Sequence, residues 1–388
     1  MGRKEKLAYL RVIRPRYKTA DRRTKARILD EFCAVCEYNR KYATRLLNSQ
    51  PKRGKTKRGK KPKYTGQLFM QVLQAIYKAS DFMCSDRLKA AIPVWLPHYE
   101  QTHKPVDDDT RTLLLSVSPA TIDRLLSPIR ARVGKGLCGT KPGTLLRSQI
   151  PVRTANWDIN SPGYMEADTV AHCGNSLAGE FVWSLTMTDI HSQWTECRAV
   201  WNKAADGVLA QIRDIERGLP FELLGFDCDN GSEFINHNLV NFFKNRPKPV
   251  HFTRSRPYRK NDNAHVEQKN WTHPRHLLGY YRIDDMTLVD LINDLYANEW
   301  SLLQNHFCPS LKLIEKVKFG SKFHKIYDKP ITPYQRILYS DKISQENKAM
   351  LTHLHNRLNP FKLKKRIEAK LNNIFKLIRV TFILRQRI

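Results

Sequence analysis

The sequence predicts a multidomain chain: all-α helix–turn–helix modules at the N-terminal side, a central α/β mixed sheet, and a basic C-terminal region. Three observations lead there. Apolar residues recur with a helical period up to about residue 133 and with the alternation of strands beyond about residue 158. Two stretches that cannot bury a core, residues 51–63 and 134–158, separate these regimes. The 388 residues also hold 67 Lys and Arg against 37 Asp and Glu, a formal charge of +30. Such an excess favours a polyanionic partner, because each neutralised phosphate releases counterions, and nucleic acid is the expected one. No stretch approaches the length of a membrane span, and the start "MGRKEKLAYL" lacks the apolar region of a signal peptide, so a cytoplasmic protein without membrane partners is expected.

Residues 1–50 read as a first helix–turn–helix. "ADRRTKARILDEFCAVCEY" is amphipathic, and "NRKYATRLLN" begins at Asn39, a residue suited to capping. Cys33 and Cys36 have the spacing of a metal pair, yet the first His is His98, and both thiols fall on the apolar stripe of Ile28, Leu29 and Phe32. They are expected in the core, with no structural zinc. The eight cysteines are scattered, which suits reduced thiols. Residues 51–65 form a basic linker whose "PKRGKTKRGKKPK" has eight Lys or Arg and no acid.

Residues 66–150 read as a second helical DNA-binding domain and its connector. In "SPATIDRLLSPIRAR", Ser118 caps, Pro119 takes the first helical position, and Ile122, Leu125, Leu126 and Ile129 make one apolar face. Arg124, Arg130 and Arg132 lie off that face, where they would contact phosphates.

Residues 151–285 carry the chemistry. "YMEADTV", "FVWSLTMTD" and "WTECRAVW" read as an antiparallel meander; helix and strand then alternate through "LLGFDCD" and "VHFTRS" to the helix "NAHVEQKNWTHPRHLLG". Asp168 lies within the first strand, Asp229 ends the fourth, and Glu267 lies early in that helix. If the two strands are neighbours, the carboxylates face one point. Hard cations such as Mg²⁺ or Mn²⁺ choose such oxygen ligands, and two ions about 4 Å apart suit in-line displacement at a phosphodiester. Asp227 shares a face with Asp229 and is expected to support it, while Glu166 is expected at the surface or in support of Asp168. Asp189 is expected to cap the turn into "IHSQW".

"MEADTV", "DCDNGSEF" and "RPYRKNDNAHVEQKN" resemble blocks of the integrase-core transposases of bacterial insertion sequences, relatives of retroviral integrases. The resemblance spans about residues 160–280 and implies a ribonuclease H-like core with Asp168, Asp229 and Glu267 as catalytic metal ligands. It implies that Asn230 and Gly231 shape the turn after the second acid, and that two Mg²⁺ or Mn²⁺ ions are used.

The loop before Glu267 is expected to hold the DNA end: Arg254, Arg256, Arg259 and Lys260 on phosphates, Tyr258 against a base or sugar. His265 and Lys269, four residues apart, suit phosphate contact beside the metals, and Asn270 either orients Glu267 or caps locally. Residues 286–388 read as helices with a small basic module, ending in a helix that either pairs protomers or covers the core. The expected function is DNA transposition: binding of the element's terminal repeats, 3′-end cleavage, and strand transfer into target DNA by a homo-oligomer. The rival readings are a ribonuclease H-like nuclease without strand transfer and a DNA-binding repressor with a decayed core.

Overall fold

The computed structural model describes residues 2–49, 63–132, 160–229, 231–254, 264–319 and 322–385. The chain divides into two compact units, Met1–Lys63 and Tyr64–Ile388.

The first unit is three helices: α1 (Arg3–Thr19), α2 (Arg22–Cys36) and α3 (Arg40–Asn48). Asp21 accepts the backbone N–H groups of Arg23 and Thr24, and Asn39 accepts that of Lys41, so both later helices start at a side-chain cap. Leu10, Ile13 and Tyr17 of α1 close a core over Ile28, Leu29, Phe32, Cys36 and Leu47, with Cys33 at its margin. The sequence reading left α1 unassigned, because its few apolar residues are spaced among basic ones.

In the second unit, α4 (Gln67–Ala79), α5 (Ser85–Thr102), α6 (Asp108–Ser116) and α7 (Pro119–Arg132) lead to a five-stranded sheet. Its strands are β1 (Tyr164–Ala171), β2 (Val182–Asp189), β3 (Thr195–Trp201), β4 (Gly225–Cys228) and β5 (His251–Arg254), in the order β3-β2-β1-β4-β5. The first three pair antiparallel; β4 and β5 run parallel to β1. Parallel neighbours need crossovers, and α8 (Ala205–Gly218) and α9 (His237–Lys244) supply helices for them. Val208, Leu209, Ile212 and Ile215 of α8 share a core with Met165, Leu185, Phe226, Phe234 and Phe243. Asp189 closes the β2–β3 turn, accepting from the backbone N–H and hydroxyl of Ser192, each at 2.6 Å.

Next come α10 (Ala264–Asn270), a π-helical turn (Trp271–Arg275) and α11 (His276–Leu278). Then α12 (Leu288–Leu295) passes through a second π turn (Tyr296–Trp300) into α13 (Ser301–Phe307), lying along β3. Their carboxamides meet the outward backbone of that edge strand. Asn293 accepts from Ala199 N–H at 2.6 Å and donates to its carbonyl at 3.1 Å. Asn305 does the same for Thr195, at 2.9 Å each way.

A β6 (Leu313–Phe319)–β7 (Lys322–Tyr327) hairpin precedes α14 (Pro333–Tyr339), α15 (Gln345–Arg357) and α16 (Pro360–Arg385). The four helices α4–α7 do not keep a core to themselves. Trp95, Leu114, Ile122 and Leu126 pack in one cluster with Leu295, Trp300 and Phe307, and with Leu363, Ile367 and Ile374 of α16. The indole N–H of Trp95 donates to the Phe307 carbonyl at 2.7 Å. Helix α16 therefore covers the core of its own chain. Among the described residues no helix is long and apolar enough to cross a membrane.

Candidate active site

Side chains two apart on a strand share a face, so Glu166 and Asp168 of β1 point the same way, as do Asp227 and Asp229 at the end of β4. Glu166 lies opposite Asp227, and Ala167 opposite Cys228; Asp168 and Asp229 follow one step on. With neighbouring strands about 4.8 Å apart, Glu166 and Asp227 stand side by side on one face of the sheet, and Asp229 follows one residue past the end of β4.

Glu166 and Asp227 are buried and structural. Glu166 accepts the backbone N–H of Val266 at 3.0 Å, which anchors the first turn of α10 on β1. Of the two places expected for Glu166, the surface is thereby excluded, and a supporting position inside the fold is left. Asp227 accepts the hydroxyl of Thr253, on β5, at 2.7 Å.

Asp168 and Asp229 are half-buried. Asp168 accepts from the backbone N–H of Thr169 at 2.7 Å and from the carboxamide of Asn270 at 2.6 Å. Asn270 thus orients Asp168, and ties α10 to β1 in doing so. Three residues earlier on the same helix Glu267 is exposed, and Asp229 accepts Gly231 N–H at 2.9 Å as the chain turns. Burial foremost, then the charges of Asp229 and Glu267, push the Asp168 carboxyl up to about 7 against its bonds to Thr169 and Asn270. The chemistry of three oxygen donors that repel one another fits a hard divalent cation, which would relieve that repulsion. Among the described residues, no group of three or more His, Cys, Asp or Glu side chains is placed to hold a metal ion. Both Asp168 oxygens are engaged, by Thr169 and by Asn270.

A fifth carboxylate went unweighed in the sequence reading, although it sits in "DNGSEF". Glu233 has a fully buried side chain that accepts the Thr169 hydroxyl at 3.0 Å and pairs with Lys203 at 2.7 Å. Its other oxygen is buried without a hydrogen bond. A methyl group on Gly231 would run into this carboxylate, so Gly231 is required by close approach. Nothing in the sequence signalled Lys203, which comes from the turn between β3 and α8 with φ of 43°.

One expected DNA contact is corrected. Lys269 is 9% exposed, because it lies two residues beyond Glu267 and so on the other side of α10, with Val266 and His273 facing the core. Burial first, then Arg87 and Arg336, push its amine down to about 7. Arg130, half-buried, donates to Asp123 at 2.6 Å and to the Tyr77 hydroxyl at 3.1 Å, so part of its charge is engaged within the chain. Arg124 and Arg254 are exposed, the former on α7 and the latter at the end of β5 beside Cys228. Asn230, Arg256, Tyr258, Arg259 and Lys260 lie outside the described residues, as does the side chain of His265.

No family model matches the chain. The uncharacterized protein y4rM of Sinorhizobium fredii is 41% identical over 326 residues, covering 83% of this chain and 91% of that protein. Among solved structures, the catalytic core domain of BIV integrase is similar over 30% of this chain and 70% of its own, at 19% identity and a TM-score of 0.25. The HTLV-2 integrase catalytic core domain in complex with magnesium is similar over 38% of this chain and 90% of its own, at 16% identity and a TM-score of 0.27.

Proposed function

The chain belongs to the family of the Sinorhizobium fredii protein y4rM, and from its site we propose that it is a metal-dependent DNA transposase. It binds the terminal repeats of a mobile element, cuts the 3′ strands by hydrolysis, and joins the freed 3′-hydroxyls to target DNA. One observation carries the reading: β4, which leads into Asp229, runs beside the β1 strand that bears Asp168, and Asn270 ties α10, which bears Glu267, to Asp168 at 2.6 Å. The net charge of +30 supports a nucleic-acid substrate.

In this reading Asp168, Asp229 and Glu267 hold Mg²⁺ or Mn²⁺, which when bound supplies positive charge to the phosphate undergoing in-line displacement. The chain's residues do the positioning. Asn270 holds Asp168 in place, and Glu166 fixes the start of α10, so that Glu267 meets the strand ends. Gly231 lets the chain turn tightly over Glu233, which leaves Asp229 at the cleft. In cleavage, water attacks phosphorus and the bond to the 3′ oxygen breaks, leaving a 3′-hydroxyl. In transfer, that hydroxyl attacks a target phosphorus and displaces its 3′ oxygen. Arg124 and Arg254 contact phosphates, and so do Arg256, Arg259 and Lys260, with Tyr258 against a base or sugar. Residues 1–50 act as a sequence reader on the basic linker 51–65, residues 66–150 as a second DNA-contacting segment, residues 151–285 as the catalytic core and residues 286–388 as its cover. Joining two ends requires at least two protomers.

The test is cleavage, with Mg²⁺ or Mn²⁺, of duplexes taken from the DNA flanking the coding region. The parent is expected to nick at a fixed position, leaving 3′-hydroxyls, and to join them to plasmid DNA. Asp168→Asn is expected to bind without cutting. Equal cutting by both proteins would remove the triad from the reading, and binding without cutting by the parent would leave a repressor. Cutting with no joining would indicate a nuclease.

A further inference from the structure

The exposed side of the helix that carries Glu267 continues past it. Glu267, Trp271 and Arg275 recur every four residues and so lie along one side, while Val266, Lys269, His273 and Leu277 are buried on the other. Trp271 is 53% exposed, and so is Tyr280. Their ring centroids are 6.4 Å apart, and the Arg275 guanidinium lies 4.8 Å from the Tyr280 centroid. Arg275 makes no ion pair among the described residues, so its charge is available to a ligand.

This patch is held firmly beside the strand that bears Asp168. Cys173, just past β1, bridges to Arg282, and Ile283 N–H donates to the His172 carbonyl at 3.0 Å, which fixes the segment after Tyr280. Trp271 opens the π turn Trp271–Arg275, and such turns recur at functional sites. At about 1.5 Å of rise per residue, Trp271 stands about 6 Å along the axis from Glu267. That is about two steps of a strand stacked at about 3.4 Å per nucleotide.

We propose that Trp271, Tyr280 and Arg275 form a stacking platform for an unpaired nucleobase at the end of the DNA being cut, with the base on the rings and its phosphate on Arg275. Exposed rings with an unopposed guanidinium are the composition that single-stranded nucleic acid selects, because every base has a π face and every linkage a charge. An acidic or purely apolar protein partner would leave either the rings or the cation unmatched. The platform rests on the reading that the neighbouring carboxylates act on DNA.

The full-length chain is titrated, in EDTA to prevent cutting, with two fluorescent duplexes of one sequence. One is blunt; the other ends in two unpaired nucleotides, one of them 2-aminopurine. The parent is expected to favour the unpaired end by about five- to a hundredfold and to quench the 2-aminopurine. Trp271→Ala should bring that ratio near one, while Trp271→Phe retains most of it. Arg275→Gln should shallow the salt dependence of binding by about one phosphate contact. Trp271→Ala protein that melts like the parent and keeps the preference would overturn the platform, as would a parent without preference or quenching. Failure of the catalytic reading looks different: no metal-dependent cutting by the parent, whatever the ratio of the two affinities.

Discussion

Asp168→Asn is expected to stabilise the metal-free protein at pH 8 while abolishing cleavage. Burial and the charges of Asp229 and Glu267 raise the Asp168 carboxyl from 3.8 to about 7. At about 1.4 kcal/mol per pH unit, ionising it in the folded chain costs at most about 4 kcal/mol. Asparagine removes that cost but gives up one of two hydrogen bonds, since its amide cannot accept from both Thr169 and Asn270; that returns about 1 kcal/mol. Water at the cleft mouth screens part of the remainder, so the net gain is expected at about 1–2 kcal/mol. The pH dependence has a definite sign. The folded chain binds this proton more tightly than the unfolded chain, so the group's contribution to stability is full below about pH 4 and is lost as pH rises through about 7. The advantage of the variant should therefore vanish near pH 4 and be complete at pH 8. Urea melts in EDTA at both pH values measure it. Millimolar Mg²⁺ or Mn²⁺ should then stabilise the parent and not the variant, through linkage to the folded state. A variant no more stable than the parent at pH 8, with the same response to metal, would refute the convergence of these charges.

Lys269→Met should leave thermal stability unchanged or raise it, because it replaces a buried amine by an apolar chain of similar length, and the salt slope of DNA binding should not move. A slope reduced by one would return Lys269 to the phosphate contacts. Gly231→Ala should cost about 1–3 kcal/mol in chemical denaturation, since its methyl group meets the Glu233 carboxylate; an unchanged midpoint would refute the close approach. Lys203→Met should cost about 3–5 kcal/mol by leaving Glu233 buried and uncompensated, and adding Glu233→Gln should recover much of it. Additive losses in that double variant would show that the pair is not coupled.

The strands and the helix of the catalytic segment were legible because period-2 and period-3.6 patterns report which face of an element is buried. That pattern placed β1 to β5, the apolar side of α8, and the acids at the strand ends. It could not reach Lys203, whose role depends on a turn that returns to the sheet from outside any periodic segment. Lys269 shows a second limit. Spacing along α10 puts residues on common sides, but only packing decides which side is buried, and here Val266 and His273 take the charged residue inward with them. Nor did the sequence show that α4–α7 lend their apolar sides to α12, α13 and α16. Amphipathic helices reveal that they need a partner, and long-range contacts alone choose it.

The carboxamides of Asn293 and Asn305 imitate a neighbouring strand, giving Ala199 and Thr195 the donor and acceptor that another backbone would otherwise offer. That flank of the sheet is therefore closed to strand addition. Two copies of the chain cannot fuse their sheets across β3 into a continuous ribbon, and misassembly by that route is blocked as well. Edge-to-edge polymerisation through β3 is thereby prevented.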